Sequence, residues 1–260
     1  MFSQEPRCIY EKNPILEAIC QFRFPEILAI GAKSPVDFQE AIRDVFPRYN
    51  LLREVQAPRV TGAPGSFSMT QPVETLNHQF QSADGVWRVN LTTKFISFAC
   101  SRYTAWENFA AMLDKPLASF LRIYKPAYYE RVGLRYVNAI SRRDLGLEGE
   151  PFRELIEPCY LGLLADEQVQ ETSATRSTMD AELALRGGCR GKIHAGPGSV
   201  KRNGQNDPEP KFILDNDLYM IGQTPVNLSA GALQTLHVQA DELFRGAITD
   251  RLHEAMGPRD

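Results

Sequence analysis

The sequence predicts an α+β fold made of two similar units, each a strand, a helix, three strands and a helix, with antiparallel sheets covered by long helices. Three observations lead there. Short segments that alternate apolar and polar residues recur in both halves, which is the period-two signature of half-buried strands. Asp84-Gly85 and Gly187-Gly188 supply tight turns between such segments. Each half closes on a long stripe of apolar residues at helical spacing, so the element order repeats across a boundary near residue 125. The expected division is 1-125 and 126-260, packed as one compact unit. Internal duplication is inferred from element order alone, not from similarity between the halves.

Taken in order, Ile15 to Phe24 reads as the first strand, with Leu16, Ala18, Cys20, Phe22 and Phe24 on one face and Glu17, Gln21 and Arg23 on the other. Ser34-Pro35-Val36-Asp37 is a helix start, and Phe38, Ala41, Ile42, Val45 and Phe46 form its buried stripe up to Pro47. Residues 47 to 75 lack a pattern and are expected to form a long loop. Strands follow at about 76 to 82, 86 to 92 and 95 to 101. Thr104 to Glu107 has the spacing of a capping box, and Pro116 is expected to kink or split the helix it opens.

Tyr128 to Asn138 then reads as one long strand. Val132, Leu134 and Tyr136 make a core face, whereas Arg131 and Arg135 flank Gly133 on the other. Two guanidinium groups beside a residue with no side chain form a basic notch, and Glu17 lies on the corresponding polar face of the first strand. The notch fits an anionic ligand, but arginines paired with carboxylates of neighbouring strands are the commoner arrangement. In the second half, an extended segment is expected from Gln168 to Leu185, then a strand from the Gly187-Gly188 turn through Ile193 and another from Lys211 to Ile221, with a glycine- and proline-rich loop over 196 to 210 and a final helix from about Ser229 to Met256.

Composition narrows the classes. A 43% apolar and 23% charged chain of 260 residues is ordinary for a globular protein. A net charge of -3 gives no global pull toward nucleic acid. No apolar run reaches the roughly 18 residues a membrane span needs, and the first residues lack a signal-peptide pattern, so a cytoplasmic location is expected. The five cysteines are scattered without a Cys-x-x-Cys pair, and the four histidines, His78, His194, His237 and His253, show no zinc-binding spacing. No metal or cofactor is expected. Asp180 and Glu182 share a strand face, as do Asp215 and Asp217, and are the weak candidates for a metal site. Gly196 to Lys201 departs from the phosphate-loop order, and no Gly-x-Ser-x-Gly elbow is present.

Asn13-Pro14-Ile15-Leu16-Glu17, the Phe38 to Phe46 helix ending in Phe-Pro, Tyr103-x-x-Trp106-Glu107-x-Phe109 and Arg131-Val132-Gly133-Leu134-Arg135-Tyr136-Val137-Asn138 together resemble a sporadically distributed family of uncharacterised bacterial proteins of about this length. The resemblance covers the first half and the central strand and weakens beyond residue 145. It implies a bacterial or phage-related cytosolic protein, and a patchy distribution would suit a defence-linked gene; it implies no activity.

The function expected from the residues is a non-catalytic binding protein that recognises an anionic small molecule or a protein partner at the junction of the two halves, through Arg131, Arg135, Glu17 and Gly133. A homodimer is compatible with it. A metal-dependent enzyme on phosphoryl or nucleotide substrates, using Asp180 or Glu182, and a structural subunit of an operon-encoded complex are the alternatives.

Overall fold

The structure, a computed structural model, describes residues 3–5, 7–56, 60–63, 66–69, 73–202 and 204–259. Nine antiparallel strands form one sheet that runs through both halves of the chain. They are β1 (Ile15–Arg23), β2 (Arg48–Gln56), β3 (Val73–Gln81), β4 (Trp87–Leu91), β5 (Phe95–Cys100), β6 (Tyr129–Ile140), β7 (Met179–Ala184), β8 (Arg190–Gly198) and β9 (Lys211–Thr224). Their spatial order is β7-β8-β9-β6-β1-β5-β4-β3-β2. The seam between the halves is therefore β1 against β6, with Cys20 opposite Leu134 and Phe22 opposite Val132.

Helices α1 (Val36–Ile42), α2 (Trp106–Tyr124), α3 (Ser229–Arg245) and α4 (Asp250–Ala255) cover one face of this sheet. The covered face carries the residues that alternation assigns to the core: Ala18, Cys20 and Phe22 of β1, Val132, Leu134 and Tyr136 of β6, and Leu214 and Leu218 of β9 are all buried. Phe22 lies between Phe98 and Tyr129, with ring centroids 6.4 and 4.8 Å away. Each of the buried Phe, Leu and Val side chains contributes about 1.5–3 kcal/mol by leaving water. The opposite face is a field of polar side chains that reach across strands to one another.

Several expectations are corrected. The patternless segment from 47 contains β2, which lies at the sheet edge; its Tyr49, Leu51 and Leu52 are exposed, so no alternation marks it. A small hairpin, Val60–Ala63 with Ser66–Met69, and the start of β3 follow, so among the described residues the first half gives the large sheet four strands between its helices rather than three, besides the two of the hairpin. Parts of the expected loop, residues 57–59, 64, 65 and 70–72, lie outside the described residues. Leu16 is 44% exposed because the β1–β6 register shifts between Ile15 and Glu17, which turns it off the core face.

Pro116 neither splits nor ends α2, which runs unbroken through 19 residues. The buried Phe109 and Leu113 on one side and Phe120 on the other hold both flanking turns against the core, which offsets the missing backbone donor. The Thr104–Glu107 capping box does not form: Ala105 is the cap, Thr104 accepts from Asn108, and Glu107 turns to Arg7. At the start of α1 the cap is Pro35 rather than Ser34. The glycine- and proline-rich segment from 196 begins as the end of β8 and continues in a short pairing of Lys201–Arg202 with Gln205–Asn206. The final helix is two helices, because the chain breaks at Gly246 and restarts where the Thr249 side chain accepts from the Leu252 amide.

Candidate functional site

Arg131, Gly133 and Arg135 sit on the polar face, on the central strand beside the seam, as alternation predicts. Their surroundings are carboxylates. Nη2 of Arg131 donates to both oxygens of Asp217 at 2.7 and 2.8 Å, Nη1 donates to Gln21 Oε1 at 3.3 Å, and the guanidinium lies 4.6 Å from the Tyr219 ring centre. Arg135 donates to Asp215 from Nε at 2.7 Å and from Nη2 at 2.5 Å. Glu17 accepts from Arg88 at 2.7 Å, across β5, rather than facing the notch. An anion arriving at the notch would have to displace Asp215 and Asp217.

Gly133 has a steric role here. The Arg131 guanidinium folds across it so closely that a Cβ at 133 would stand 2.1 Å from Nη1. Gly133→Ala is thus expected to push the guanidinium off Asp217 and to cost about 1–2 kcal/mol, as overpacking does. Urea unfolding of the variant measures it, and unchanged stability would mean that the arginine finds an equally good position.

The weak metal candidates are occupied in the same manner. Asp180 pairs with His194 Nδ1 at 2.7 Å, and Glu182 accepts from the Tyr219 hydroxyl at 2.5 Å. Among the described residues no group of three or more His, Cys, Asp or Glu side chains could hold a metal ion. The polar face is therefore a self-paired ladder, and its ion pairs reach across strands instead of converging.

On the other side of the same seam lies a partly open cavity of about 60 Å³. Its floor is the sheet. Tyr136 and Asn138 come from β6, and Asn216 from β9 stands directly opposite Tyr136 in register. One wall is α3, through His237 and Asp241, which lie four residues apart and so on one helix face. Tyr103, just before α2, forms another wall, and Arg7 to Tyr10 of the N-terminal segment closes the cavity. That segment is pinned: Ile9–Tyr10 pairs with Pro258–Arg259, and the Tyr10 hydroxyl bonds His253 Nδ1 at 2.9 Å.

The cavity's polar groups are linked on one side. The Tyr136 hydroxyl is 3.1 Å from His237 Nδ1 and 3.5 Å from the Tyr103 hydroxyl. The His237 ring stacks on Trp106, centroids 4.4 Å apart and planes within 10°. Burial pushes His237 down to about 4, so its imidazole is neutral near pH 7, and the same burial pushes Tyr103 up to about 12. Asp241 is pushed up to about 6, by burial first, against the opposing pull of Arg7. His237 Nε2 and Asn216 Oδ1 are buried with no hydrogen-bond partner among the described residues. Unpartnered buried polar atoms are costly in a core and are tolerated where a site needs them.

Sequence reasoning placed Tyr136 and Asn138 on the core face and went no further. The available signal was polar side chains inside apolar patterns: Asn138 and Asn216 at core positions of strands, and His237 and Asp241 within the apolar stripe of α3. Comparison with known proteins adds no name to this geometry: no protein-family model matches the chain, and no curated protein matches it. No helix among the described residues is long and apolar enough to cross a membrane.

Proposed function

We propose that the chain is a non-catalytic binding protein whose ligand enters the seam cavity, between Tyr136 and Asn138 on the sheet and His237 and Asp241 on α3. The observation that carries this reading is the cavity itself, a partly open space in which hydroxyl, amide, imidazole and carboxylate groups come together from five parts of the chain. Its place at the junction of two halves agrees with the junction expected from sequence, on the helix-covered side instead of the arginine side. Arg131 and Arg135 then act as structural ties across β6 and β9.

An internal duplication of the chain belongs to the same reading. One half runs β1-β5-β4-β3-β2 outward from the seam, the other β6-β9-β8-β7. In each, the first strand lies beside the last strand of its meander, and a long helix follows. A ligand site between duplicated units, in a bacterial accessory or defence-linked cytoplasmic protein, is the corresponding biological setting.

Native mass spectrometry of the protein purified gently from its own host tests this. A bound mass is expected with the parent and is expected to be lost in Ala105→Leu, which adds bulk at a half-buried lining position. Retention of the mass by a folded Ala105→Leu protein, or no bound mass in either, overturns the reading. A structural subunit of a larger complex is the second reading. It is favoured by the edge strand β2, which exposes Leu51, Leu52 and Val55 beside a backbone edge that no strand pairs with among the described residues, and a stable co-purifying neighbour would mark it.

A further inference from the structure

One carboxylate on the wall of the seam cavity has no direct partner among the described residues. Asp241 accepts no hydrogen bond and joins no ion pair among the described residues. Arg7 acts on it only through space, and the Arg7 guanidinium is held by the two Glu107 oxygens at 2.7 and 3.3 Å. The other basic side chains on α3 and its flank are also engaged: Arg245 by Glu5 and Asp250, and Arg186 by Glu242. His237 is neutral near pH 7. Among the described residues Asp241 is left at the cavity wall with no cation bonded to it, since the Arg7 guanidinium that attracts it is bonded to Glu107.

Aromatic rings surround that charge. Tyr10, Tyr103, Tyr136 and Phe244 line the cavity with the carboxylate. Tyr103 meets Tyr136 edge to face at 5.4 Å, and Tyr10 meets Phe244 in the same way at 5.9 Å, so the rings turn in different directions around the space. Ring faces attract cations, and a nearby carboxylate adds a full charge. The cavity of about 60 Å³ has room for on the order of four to six water-sized centres, enough for a small head group but not a large molecule.

We propose that the seam cavity receives the ammonium head group of an amine, with Asp241 as its counter-ion and the surrounding tyrosines as its walls. The proposal rests on the seam-cavity reading above and gives it a ligand class. An ammonium group satisfies the carboxylate that the protein leaves unpaired, and its alkyl carbons pack on rings that water solvates poorly. The same chemistry is carried by a free small amine and by the lysine side chain of a peptide.

Isothermal titration of the full chain at pH 7.5 tests the proposal, with choline and n-butylammonium as free amines and N-acetyl-lysine-N-methylamide as the peptide form. Saturable binding is expected with ammonium probes, and whichever form binds more tightly identifies the source. With Asp241 protonating at about 6, affinity is expected to fall about tenfold at pH 5. It is also expected to fall at least tenfold in Asp241→Asn, whose cooperative melting shows that the variant folds. Equal affinity for 3,3-dimethylbutanol, the neutral isostere of choline, overturns the proposal, as does undiminished binding by Asp241→Asn. Binding of inorganic phosphate or acetate that is lost in Ala105→Leu, with none by the amines, overturns the ammonium assignment and leaves the seam-cavity reading standing. No heat from any probe, together with no bound mass in the native preparation, overturns both.

Discussion

Asp241→Asn is expected to be more stable than the parent by up to about 3 kcal/mol above pH 7, and to lose that advantage as the pH falls to 4. Burial raises the folded-state value from 3.8 to about 6. The folded protein therefore holds this proton more tightly than the unfolded chain does. The stabilisation from proton uptake is complete below about 4 and gone once the pH has risen through 6. Above that pH the ionised, unpaired carboxylate destabilises the fold, which is the cost that the amide removes.

His237 has the opposite sign. Its folded value is depressed from 6.5 to about 4, again by burial first, so its contribution is present above 6.5 and is lost as the pH falls through 4. The two shifts are of similar size, and over the interval from 6.5 to 4 they offset each other. The parent is expected to show a nearly flat stability from this pair. Asp241→Asn uncovers the histidine, and its stability is expected to drop by about 3 kcal/mol over the same interval. Arg7, Glu107 and Glu242, the charged groups acting on the pair, are unchanged by the substitution. Urea unfolding at half-unit pH steps measures both curves; parallel profiles for parent and variant would sink the assignment.

Arg131→Ala is expected to destabilise the protein by about 2–3 kcal/mol, because it leaves Asp217 partly buried without its partner. The Arg131 and Asp217 side chains are 16% and 29% exposed, so solvent only partly replaces the lost bond. Removing both partners in Arg131→Ala/Asp217→Ala is expected to recover more than half of that loss, since no unpaired charge remains. Full additivity of the two single changes would mean that Asp217 is not the arginine's partner in solution. Ligand binding at the seam cavity is expected to survive both variants, whereas an arginine-centred site would lose it.

The reading of the Arg131, Gly133 and Arg135 strand illustrates how far a sequence reaches. Alternation alone put both arginines and the glycine on one face, and the strand does present them together. It could not say what stands opposite. Asp215 and Asp217 are 80 and 86 residues away along the chain from the arginines they hold, and the β6–β9 register that brings them together depends on the whole intervening fold. Edge strand β2 was missed for a related reason: with exposed residues throughout Arg48–Arg53, it carries no imprint of a buried face.

What the sequence determined by itself was the α+β class, most of the strands and most of the residues facing the core. Those features follow from local periodicity, because each strand or helix must turn its apolar side toward whatever core forms. The tertiary structure decided which polar groups pair and which are left over. It showed the arginine notch to be satisfied by its own sheet, and it assembled Tyr103, Tyr136, Asn138, Asn216, His237 and Asp241 into one cavity. Their meeting depends on strand register and on the packing of α3 against β6 and β9, which the pattern of a single segment does not encode.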